Sequence, residues 1–205
     1  MKTILLDVDD TLYPKGTGPF KEVSKKIEEY VVNECELNIE DARNLRKEYI
    51  IQYGSTLGGL MRHHGVDPEK FLRDVHDVPV EEMLNPDARL KKILSEIPYR
   101  LTIFSNASKD YVNRILHCLD ISDVFDDLFT IEYMDFIPKP KPYPYYKILE
   151  LYDMKPGDFI IVDDRVPNID TAIAVGMKGI VVGGHGHLNG ALCIPDIYGI
   201  ADVID

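Results

Sequence analysis

The chain has 205 residues, with 35 acidic against 23 basic side chains and a formal net charge of −12 at pH 7. Such an acidic balance argues against nucleic acid or an anionic membrane surface as the main partner. It allows a small phosphorylated ligand, provided that a metal cation offsets the local repulsion. The hydrophobic fraction of 45% is enough for a folded core, and the length predicts one large domain or one domain with an insert.

The cysteines indicate the cellular compartment. Cys35, Cys118 and Cys193 are odd in number and lack the spacing of a metal site, which favours a reducing intracellular environment. Met1 to Thr3 leads directly into the first predicted strand, leaving no room for a signal peptide. No apolar run approaches the roughly 20 residues that cross a bilayer. We therefore expect a soluble, cytoplasmic protein.

The first predicted element is a short strand followed at once by carboxylates. Thr3 to Leu6 are β-branched or aliphatic, as in a strand buried on both faces of a parallel sheet. Asp7, Asp9 and Asp10 come next, at the place where ligands bind in open α/β sheets. A solvated turn or a helix N-cap would also explain these residues. The other strand ends must decide between the two interpretations.

The next segment is helical. Apolar residues repeat at helical spacing from Phe20 onward, and Asn38 has the character of an N-cap before an acidic first turn. Further start signals follow along the segment. We predict a small all-helical domain over residues 15–84, inserted into an α/β domain that comprises residues 1–14 and 85–205.

Strands and helices alternate in the remainder of the chain. The predicted strands cover residues 101–105, 128–131, 158–162 and 179–182. This alternation predicts a Rossmann-like, doubly wound parallel sheet, which is an α/β fold. The tail, residues 185–205, has weak periodicity and predicts no more than an extra strand or a docking segment.

Polar side chains stand at four predicted strand ends or in the loops beyond them. They are Asp7, Asp9 and Thr11, then Ser105 and Asn106, then Lys141, and finally Asp163 and Asp164. All carboxyl ends of a parallel sheet face one way, so these groups can converge. A carboxylate can attack phosphorus, and a second one can move the proton of the leaving alcohol. Carboxylates also bind Mg²⁺, while a lysine and a hydroxyl–amide pair orient phosphate oxygens.

The same residues carry a family resemblance, which covers essentially the whole chain. Four segments resemble, in order and spacing, the four motifs of the haloacid dehalogenase superfamily: Asp7-Val8-Asp9-Asp10-Thr11-Leu12, Phe104-Ser105-Asn106, Lys141-Pro142-Tyr143-Pro144, and Val162-Asp163-Asp164 with Asn168. The helical insert resembles the C1-type cap of that superfamily. Within it, Leu12-Tyr13-Pro14, Tyr53 to Leu60, Val75-His76 and Asn85-Pro86-Asp87 resemble the pyrimidine 5′-nucleotidase branch.

The resemblance implies a role for each matched residue. Asp7 would be the nucleophile and a Mg²⁺ ligand, and Asp9 the general acid and base, with its main-chain carbonyl on the metal. Thr11 would help to fix the loop, and Asp164 would bind the metal directly. The resemblance further implies that Ser105, the Asn106 amide and Lys141 would hold the phosphate. Asp163 and Asn168 would support these groups without binding the metal or the phosphate themselves.

Three assignments rest on weaker signals. Lys139 also precedes a proline, and Lys141 is preferred because Pro144 follows it. The turn Gly54-Ser55-Thr56 is predicted to contact the leaving group, although a plain helix–helix turn explains it nearly as well. His76 could contact substrate or serve only the structure.

The predicted function is therefore Mg²⁺-dependent hydrolysis of a small phosphorylated metabolite, favouring a nucleoside 5′-monophosphate, through an aspartyl-phosphate. Alternatives on the same scaffold are a sugar-phosphate or phosphoglycolate phosphatase, a phosphomutase and a hydrolytic dehalogenase. A phospho-aspartate signalling module is a further alternative from another class. We expect a monomer or weak dimer.

Overall fold

A computed structural model describes residues 2–184, 186–188 and 190–204, without the side chain of His187. Its strands are β1 (Thr3–Leu6), β2 (Arg100–Phe104), β3 (Asp127–Phe129), β4 (Phe159–Asp163), β5 (Lys178–Val182), β6 (Gly186–Leu188) and β7 (Ala191–Ile194). They form one sheet in the order β3-β2-β1-β4-β5-β7-β6. All neighbours are parallel except β6 and β7, which are antiparallel. The predicted α/β parallel sheet is confirmed.

Helices connect the strands. The insert after β1 contains α1 (Phe20–Cys35), α2 (Ile39–Tyr53), α3 (Thr56–His64), α4 (Pro68–His76) and α5 (Val80–Met83). The later helices are α6 (Ala88–Ser95), α7 (Lys109–Cys118), α8 (Pro142–Tyr152) and α9 (Val166–Ala174). Within residues 2–184, 186–188 and 190–204, no helix combines the length and apolar character needed to cross a membrane.

Local capping explains where the insert helices begin. The Asn38 side chain accepts hydrogen bonds from the amides of Glu40 and Asp41, both at 3.0 Å, at the start of α2. Ser55 caps α3 through the Gly58 amide at 3.0 Å. Each of these bonds satisfies a donor that the first helical turn leaves without a partner. The helix start signals in the sequence therefore correspond to capping hydrogen bonds in the structure.

The insert helices pack mainly on one another. Helix α1 contacts α2, α3 and α4, and α2 packs along α3. The short helix α5, which the sequence pattern did not predict, contacts α7 of the sheet domain.

Strand β1 occupies the centre of the sheet because all four of its residues are fully buried aliphatic or β-branched side chains. It pairs with β2 on one side and β4 on the other, and Leu6 lies opposite both Ile103 and Val162. The chain first builds the sheet outward from β1 through β2, and later in the other direction through β4. Ligands bind at the carboxyl ends of strands at such a switch point.

The tail adds more than the single strand allowed by its weak periodicity. Both β6 and β7 belong to it, and β7 extends the parallel sheet beside β5. A short 3₁₀ segment, Ile197–Asp202, then packs on α6. The tail is thus a structural part of the sheet domain.

Candidate active site

The first acidic residue continues β1 beyond its last strand residue. The Asp7 amide donates to the Val162 carbonyl of β4 at 2.9 Å, so the backbone delivers its carboxylate to the switch point. A turn follows, closed by the Leu12 amide on the Val8 carbonyl at 2.9 Å. Asp10 adopts a left-handed φ of 57° in this turn. The side chain of Asp7 is nine-tenths buried, as expected for a group that acts in a shielded site.

Lys139 forms the centre of the site. Its Nζ lies 3.0 Å from Asp7 Oδ1 and 2.7 Å from Asp163 Oδ2, and it also donates to the Phe104 carbonyl. The lysine is 1% exposed, and Asp163 is fully buried. Burial by itself lowers the pKa of Lys139, but the attraction of Asp163 and Asp7 outweighs this effect and raises it. The ammonium group therefore remains charged between the two carboxylates.

The structure places Lys139, and not the predicted phosphate-site residue Lys141, beside Asp7. The Nζ of Lys141 donates to the Gln52 carbonyl at the end of α2, at 2.8 Å, and is partly exposed. Lys141 is the residue that precedes α8, whereas Lys139 lies two residues earlier in the extended loop and enters the core. Both lysines precede a proline, so the local pattern could not distinguish them. Only the path of the loop against the strand ends does.

Asn106 holds this loop in place. Its side-chain carbonyl accepts from the Lys139 amide at 2.8 Å, and its side-chain NH₂ group donates to the Lys139 carbonyl at 2.9 Å. Two bonds to one residue define the backbone orientation from which the lysine side chain departs. The family resemblance implies a phosphate contact for the main-chain amide of Asn106, but it does not predict this use of the Asn106 side chain.

Asp163 is saturated by hydrogen bonds. Its Oδ1 accepts from the Arg165 amide at 2.8 Å and from Asn168 Nδ2 at 2.9 Å, and its Oδ2 accepts from Lys139 and from Asn168 Nδ2 at 2.8 Å. A carboxylate with so many donors is poorly placed to bind a metal directly. The geometry instead makes Asp163 and Asn168 the support of Lys139.

Asp164 lies beside Asp7 and has more freedom. Carboxylate oxygens of Asp7, Asp163 and Asp164 all lie within 4.8 Å of one another, close enough to hold one metal ion. The Asp164 side chain is 10% exposed, and its Oδ2 accepts from Lys15 Nζ at 3.1 Å. Since Asp163 is already saturated, Asp7 and Asp164 are the carboxylates that fit a hard cation here.

The electrostatics of the site favour a further cation. Burial raises the pKa of Asp7, Lys139 opposes this rise, and the neighbouring Asp163 and Asp9 add to it. Burial also raises the pKa of Asp164. The acidic groups thus outnumber the buried lysine, and a divalent cation would keep them ionised.

Asp9 points to a different set of partners. Its Oδ1 accepts a hydrogen bond from the Tyr13 hydroxyl and a second one from the Tyr111 hydroxyl at 3.0 Å. Burial raises the pKa of Asp9 to about 6, while the two hydroxyl donors oppose the rise. A carboxyl group with this pKa can both hold and release a proton near neutral pH.

The two predicted hydroxyl residues are buried near the same strand ends. Ser105 is 2% exposed, its amide donates to the Phe129 carbonyl, and its Oγ accepts from the Ala107 amide at 3.2 Å. Thr11 is 1% exposed, and within the described part of the chain its Oγ1 has no hydrogen-bond partner. Its amide donates to the Val8 carbonyl at 3.2 Å and so helps to close the first turn.

A cavity of about 440 Å³ lies between the sheet edge and the insert helices. The predicted site residues that line it are Asp7, Asp9, Gly54, Ser55, Thr56, Ser105, Asn106, Asp164 and Asn168. Thr11, Lys141 and Asp163 are not among its lining residues. Three of the four predicted strand-end groups and the predicted insert turn therefore have residues in one cavity, while Lys141 lies outside it.

The insert turn touches the lysine loop directly. Gly54 has φ +86°, and a Cβ atom there would lie 3.2 Å from Pro138 Cγ and 3.6 Å from the Lys139 carbonyl oxygen. Such a backbone conformation favours glycine. The approach of Gly54 to this loop explains how a residue from the insert reaches the cavity.

Several residues of the site are not predicted from the sequence. Tyr13 and Tyr111 on Asp9, and Lys15 on Asp164, are the main examples. His76 was left undecided; its Nδ1 lies 2.8 Å from Ser108 Oγ, and its ring stacks on Tyr111 with centroids 4.3 Å apart. Tyr13 belongs to the segment Leu12-Tyr13-Pro14 that carries part of the family resemblance, but no sequence pattern relates Tyr111 to Asp9.

Comparison with known proteins adds an independent finding. A sequence model of haloacid dehalogenase-like hydrolases matches residues 1–176. Phosphate metabolism protein 8 of Saccharomyces cerevisiae is 25% identical over 201 residues, covering 88% of this chain and 61% of that protein. Pyrophosphatase PpaX of Bacillus cereus is 29% identical over 113 residues, covering 55% of this chain and 51% of that protein. The chain spans about half to three fifths of the length of these curated relatives.

Solved structures share the fold over nearly the whole chain. A HAD phosphatase from Thermococcus onnurineus superposes with a TM-score of 0.63 at 21% identity, covering 100% of this chain and 98% of that one. The HAD-hydrolase YfnB from Bacillus subtilis, bound to magnesium, gives 0.64 at 14% identity, with 98% and 99% covered. At such identities the likeness shows the fold.

Proposed function

The chain belongs to the haloacid dehalogenase-like hydrolase family, and we propose that it is a phosphatase that cleaves phosphate monoesters through a phosphate ester of Asp7. One observation carries this proposal. Asp7 is paired with the buried Lys139, while a second carboxylate two residues later, Asp9, is held apart from that pair by other partners. A nucleophile and a proton donor are thereby separated within one cavity.

Mg²⁺ fits the donor set. Asp7 and Asp164 offer hard carboxylate oxygens, and the main-chain carbonyl of Asp9 is the third proposed ligand. When bound, the ion would neutralise phosphate oxygens and the surrounding carboxylates. The excess of carboxylates over buried ammonium groups supports this assignment.

In the first half of the reaction, an Asp7 oxygen attacks phosphorus and the bond from phosphorus to the leaving oxygen breaks. Asp9 gives its proton to that oxygen, so the leaving group departs as a neutral alcohol. Lys139 offsets the negative charge shared by the nucleophile and the phosphoryl group, and Ser105 offers a hydroxyl to the phosphate. The product is an acyl phosphate on Asp7.

In the second half, Asp9 is a carboxylate and takes a proton from water. The water oxygen attacks phosphorus, the bond to Asp7 breaks, and inorganic phosphate leaves. Asp9 is then protonated again and Asp7 is again an anion. The cycle needs no reductant or oxidant: the proton that Asp9 donates leaves with the alcohol, and a proton from the attacking water replaces it.

We propose a nucleoside 5′-monophosphate as the substrate class. The cavity has room for a base and sugar, and much of its insert side is apolar, formed by Val23, Ile27, Phe71, Leu72 and Val75. Such a wall suits an organic leaving group. Arg46 of α2 also lines the cavity and adds one positive charge to this side. Residues 15–84 would act as the cap domain that closes over this group and selects it.

Among the alternatives, dehalogenation of a 2-haloacid needs neither a metal nor an acid at the position of Asp9. The presence of both Asp9 and Asp164 at the cavity favours phosphoryl transfer. A sugar-phosphate phosphatase and a phosphomutase would use the same residues. A signalling module would need no insert.

The test is hydrolysis of p-nitrophenyl phosphate by the purified protein, with and without Mg²⁺. We expect turnover only with the metal, and none in Asp7→Asn. Asp126→Asn is the matched control, since Asp126 binds the Leu101 amide away from the cavity. Turnover by Asp7→Asn, or full activity in excess chelator, would refute the mechanism.

A second assay addresses the substrate. UMP, CMP, AMP, sugar phosphates and phosphoglycolate are compared by kcat/KM. Preference for a pyrimidine nucleotide supports the proposed substrate class. If only a sugar phosphate is hydrolysed, the nucleotide proposal is wrong and the Asp7 mechanism stands.

A further inference from the structure

The proton-carrying carboxylate is held by two phenols on one of its oxygens. Tyr13 and Tyr111 both donate to Asp9 Oδ1, the latter at 3.0 Å, and their side chains are almost fully buried. For Asp9 Oδ2, the described residues provide no hydrogen bond, and Asp9 lines the cavity. The two carboxyl oxygens are therefore in different surroundings.

Tyr13 is positioned by the first turn. The turn that closes at Leu12 places residue 13 back over Asp9, four positions after it. The backbone at Gly18 then packs on the ring: a Cβ atom there would lie 2.2 Å from Tyr13 Cε2. Only glycine permits this approach, so the ring has little room to move.

Tyr111 is positioned by residues of both the insert and the sheet domain. It lies on α7, and its ring stacks on His76 at the end of α4 with an interplanar angle of 9°. His76 is in turn held by Ser108 at 2.8 Å. The second phenol is thus packed between the sheet domain and the insert.

This arrangement restricts where the Asp9 proton can reside. Two hydroxyl donors occupy the lone pairs of Oδ1, and a proton on that oxygen would have to displace one of them. The proton is therefore confined to Oδ2, the oxygen free to face a leaving group. Both donors also fix the plane of the carboxyl group.

We propose that Tyr13 and Tyr111 are positioning residues that hold Asp9 so that Oδ2 alone carries the catalytic proton toward the leaving oxygen. The inference rests on the proposed phosphatase function and extends it to two residues that need not contact substrate. Loss of either hydroxyl lets the carboxyl group rotate and allows the proton to occupy the wrong oxygen. Protonation of the leaving group then becomes less effective, while phosphate binding is unchanged.

The test compares phenyl phosphate with p-nitrophenyl phosphate, which have nearly the same shape but differ in how much their leaving oxygen needs a proton. For Tyr13→Phe and for Tyr111→Phe, we expect kcat/KM for phenyl phosphate to fall about tenfold more than kcat/KM for p-nitrophenyl phosphate. KM should stay within about twofold, because ground-state binding is not touched. The double variant should approach the ratio measured for Asp9→Asn.

Tyr152→Phe is the matched control. The Tyr152 hydroxyl bonds to Thr102 Oγ1 and Asp127 Oδ2, outside the cavity. A general loss of stability would lower kcat/KM for both substrates equally and leave the ratio of the two kcat/KM values unchanged. The two single variants are independent, so one that folds, as judged by thermal unfolding, is sufficient.

The possible results separate two failures. If Asp9→Asn changes the ratio but the tyrosine variants leave it at the wild-type value, the positioning inference is wrong and the phosphatase proposal stands. If wild type hydrolyses neither ester, or if Asp9→Asn leaves the ratio unaltered, the proposed function itself is wrong.

Discussion

Lys139 Nζ and Asp7 Oδ1 lie 3.0 Å apart although the two residues are 132 positions apart in the chain. The contact joins the loop before α8 to the end of the central strand. It also places the positive charge of Lys139 next to Asp7, the proposed nucleophile. Since Lys141 has the same local pattern but contacts the end of α2, the two lysines form a matched pair for experiment.

We expect Lys139→Met to lower kcat/KM for p-nitrophenyl phosphate by about 10²- to 10³-fold, as when a preorganised charge is removed from a transition state. Stability should also fall, by about 3 kcal/mol, because Asp163 loses its buried partner. Lys141→Met should retain activity within about threefold, since it removes only an exposed contact. Kinetics and urea unfolding measure both effects. The reverse pattern, an inactive Lys141→Met and an active Lys139→Met, would restore the position expected from the sequence.

Metal binding should appear in stability as well as in activity. We expect the midpoint of thermal unfolding to rise with Mg²⁺ concentration, because a ligand that binds only the folded state stabilises it. Asp164→Asn should require at least about tenfold more Mg²⁺ than the wild type for the same rise in the midpoint of thermal unfolding. Asp158→Asn, at the opposite end of β4, is the control and should behave as wild type. An Asp164→Asn curve that overlays the wild-type curve would contradict the ligand assignment.

Lys15→Ala should have the opposite effect. The Lys15 ammonium is paired with Asp164 at 3.1 Å, and this lysine is largely exposed. Removing it frees the carboxylate for the metal, so less Mg²⁺ should be needed, by at most about fivefold given the weakness of exposed ion pairs. The same unfolding titration measures it. A higher Mg²⁺ requirement would show that Lys15 assists the site instead of competing for it.

His76 should make stability depend on pH. Burial lowers its pKa to about 3, and nearby Arg114 adds to the effect. The unfolded chain, with a pKa of about 6.5, then binds more protons than the folded protein between these values. The contribution of His76 to the free energy of unfolding is therefore complete above about pH 6.5 and is lost as pH falls, by about 1.4 kcal/mol per pH unit. His76→Phe keeps a ring against Tyr111 and cannot titrate.

The measurement is the free energy of unfolding in urea from pH 7 to pH 5 for both proteins. We expect the wild type to lose about 2 kcal/mol more than His76→Phe over that range, whatever the difference between them at pH 7. Parallel curves would mean that His76 binds its proton equally well in the folded and unfolded protein, which would contradict the lowered pKa.

Gly54 and Gly65 allow backbone strain to be separated from contact with the site. Both glycines end insert helices and have positive φ, +86° for Gly54 and +66° for Gly65. A Cβ atom on Gly54 would lie 3.2 Å from Pro138 Cγ, whereas a Cβ atom on Gly65 would meet no atom of the described residues within 4 Å. Alanine at either position should cost about 1 kcal/mol of stability. Only Gly54→Ala should also lower kcat/KM, because it displaces the loop that carries Lys139. Equal activities of the two variants would show that the contact has no part in placing the lysine.

Local chemistry explains why much of the fold was predictable. The strand at Thr3–Leu6 consists of side chains that tolerate burial on both faces, and Asn38 and Asp67 satisfy helix amides within three residues of themselves. Such features depend on neighbours in the chain. The short helix α5 was not predicted, and the tail was expected to add at most one strand where the structure has β6 and β7, since a few residues with weak periodicity carry no such signal.

The sequence by itself determined the α/β order of elements and the acidic groups at the strand ends, because burial pattern and capping are local properties and parallel strands must end on one side. The tertiary structure alone decided which lysine enters the core, since both precede a proline and the Lys139 backbone is held by hydrogen bonds to the distant Asn106 side chain. It likewise decided that Tyr111 reaches Asp9 over 102 positions. A hydrogen bond between distant residues depends on how the helices pack against the sheet, and no spacing along the chain encodes that distance.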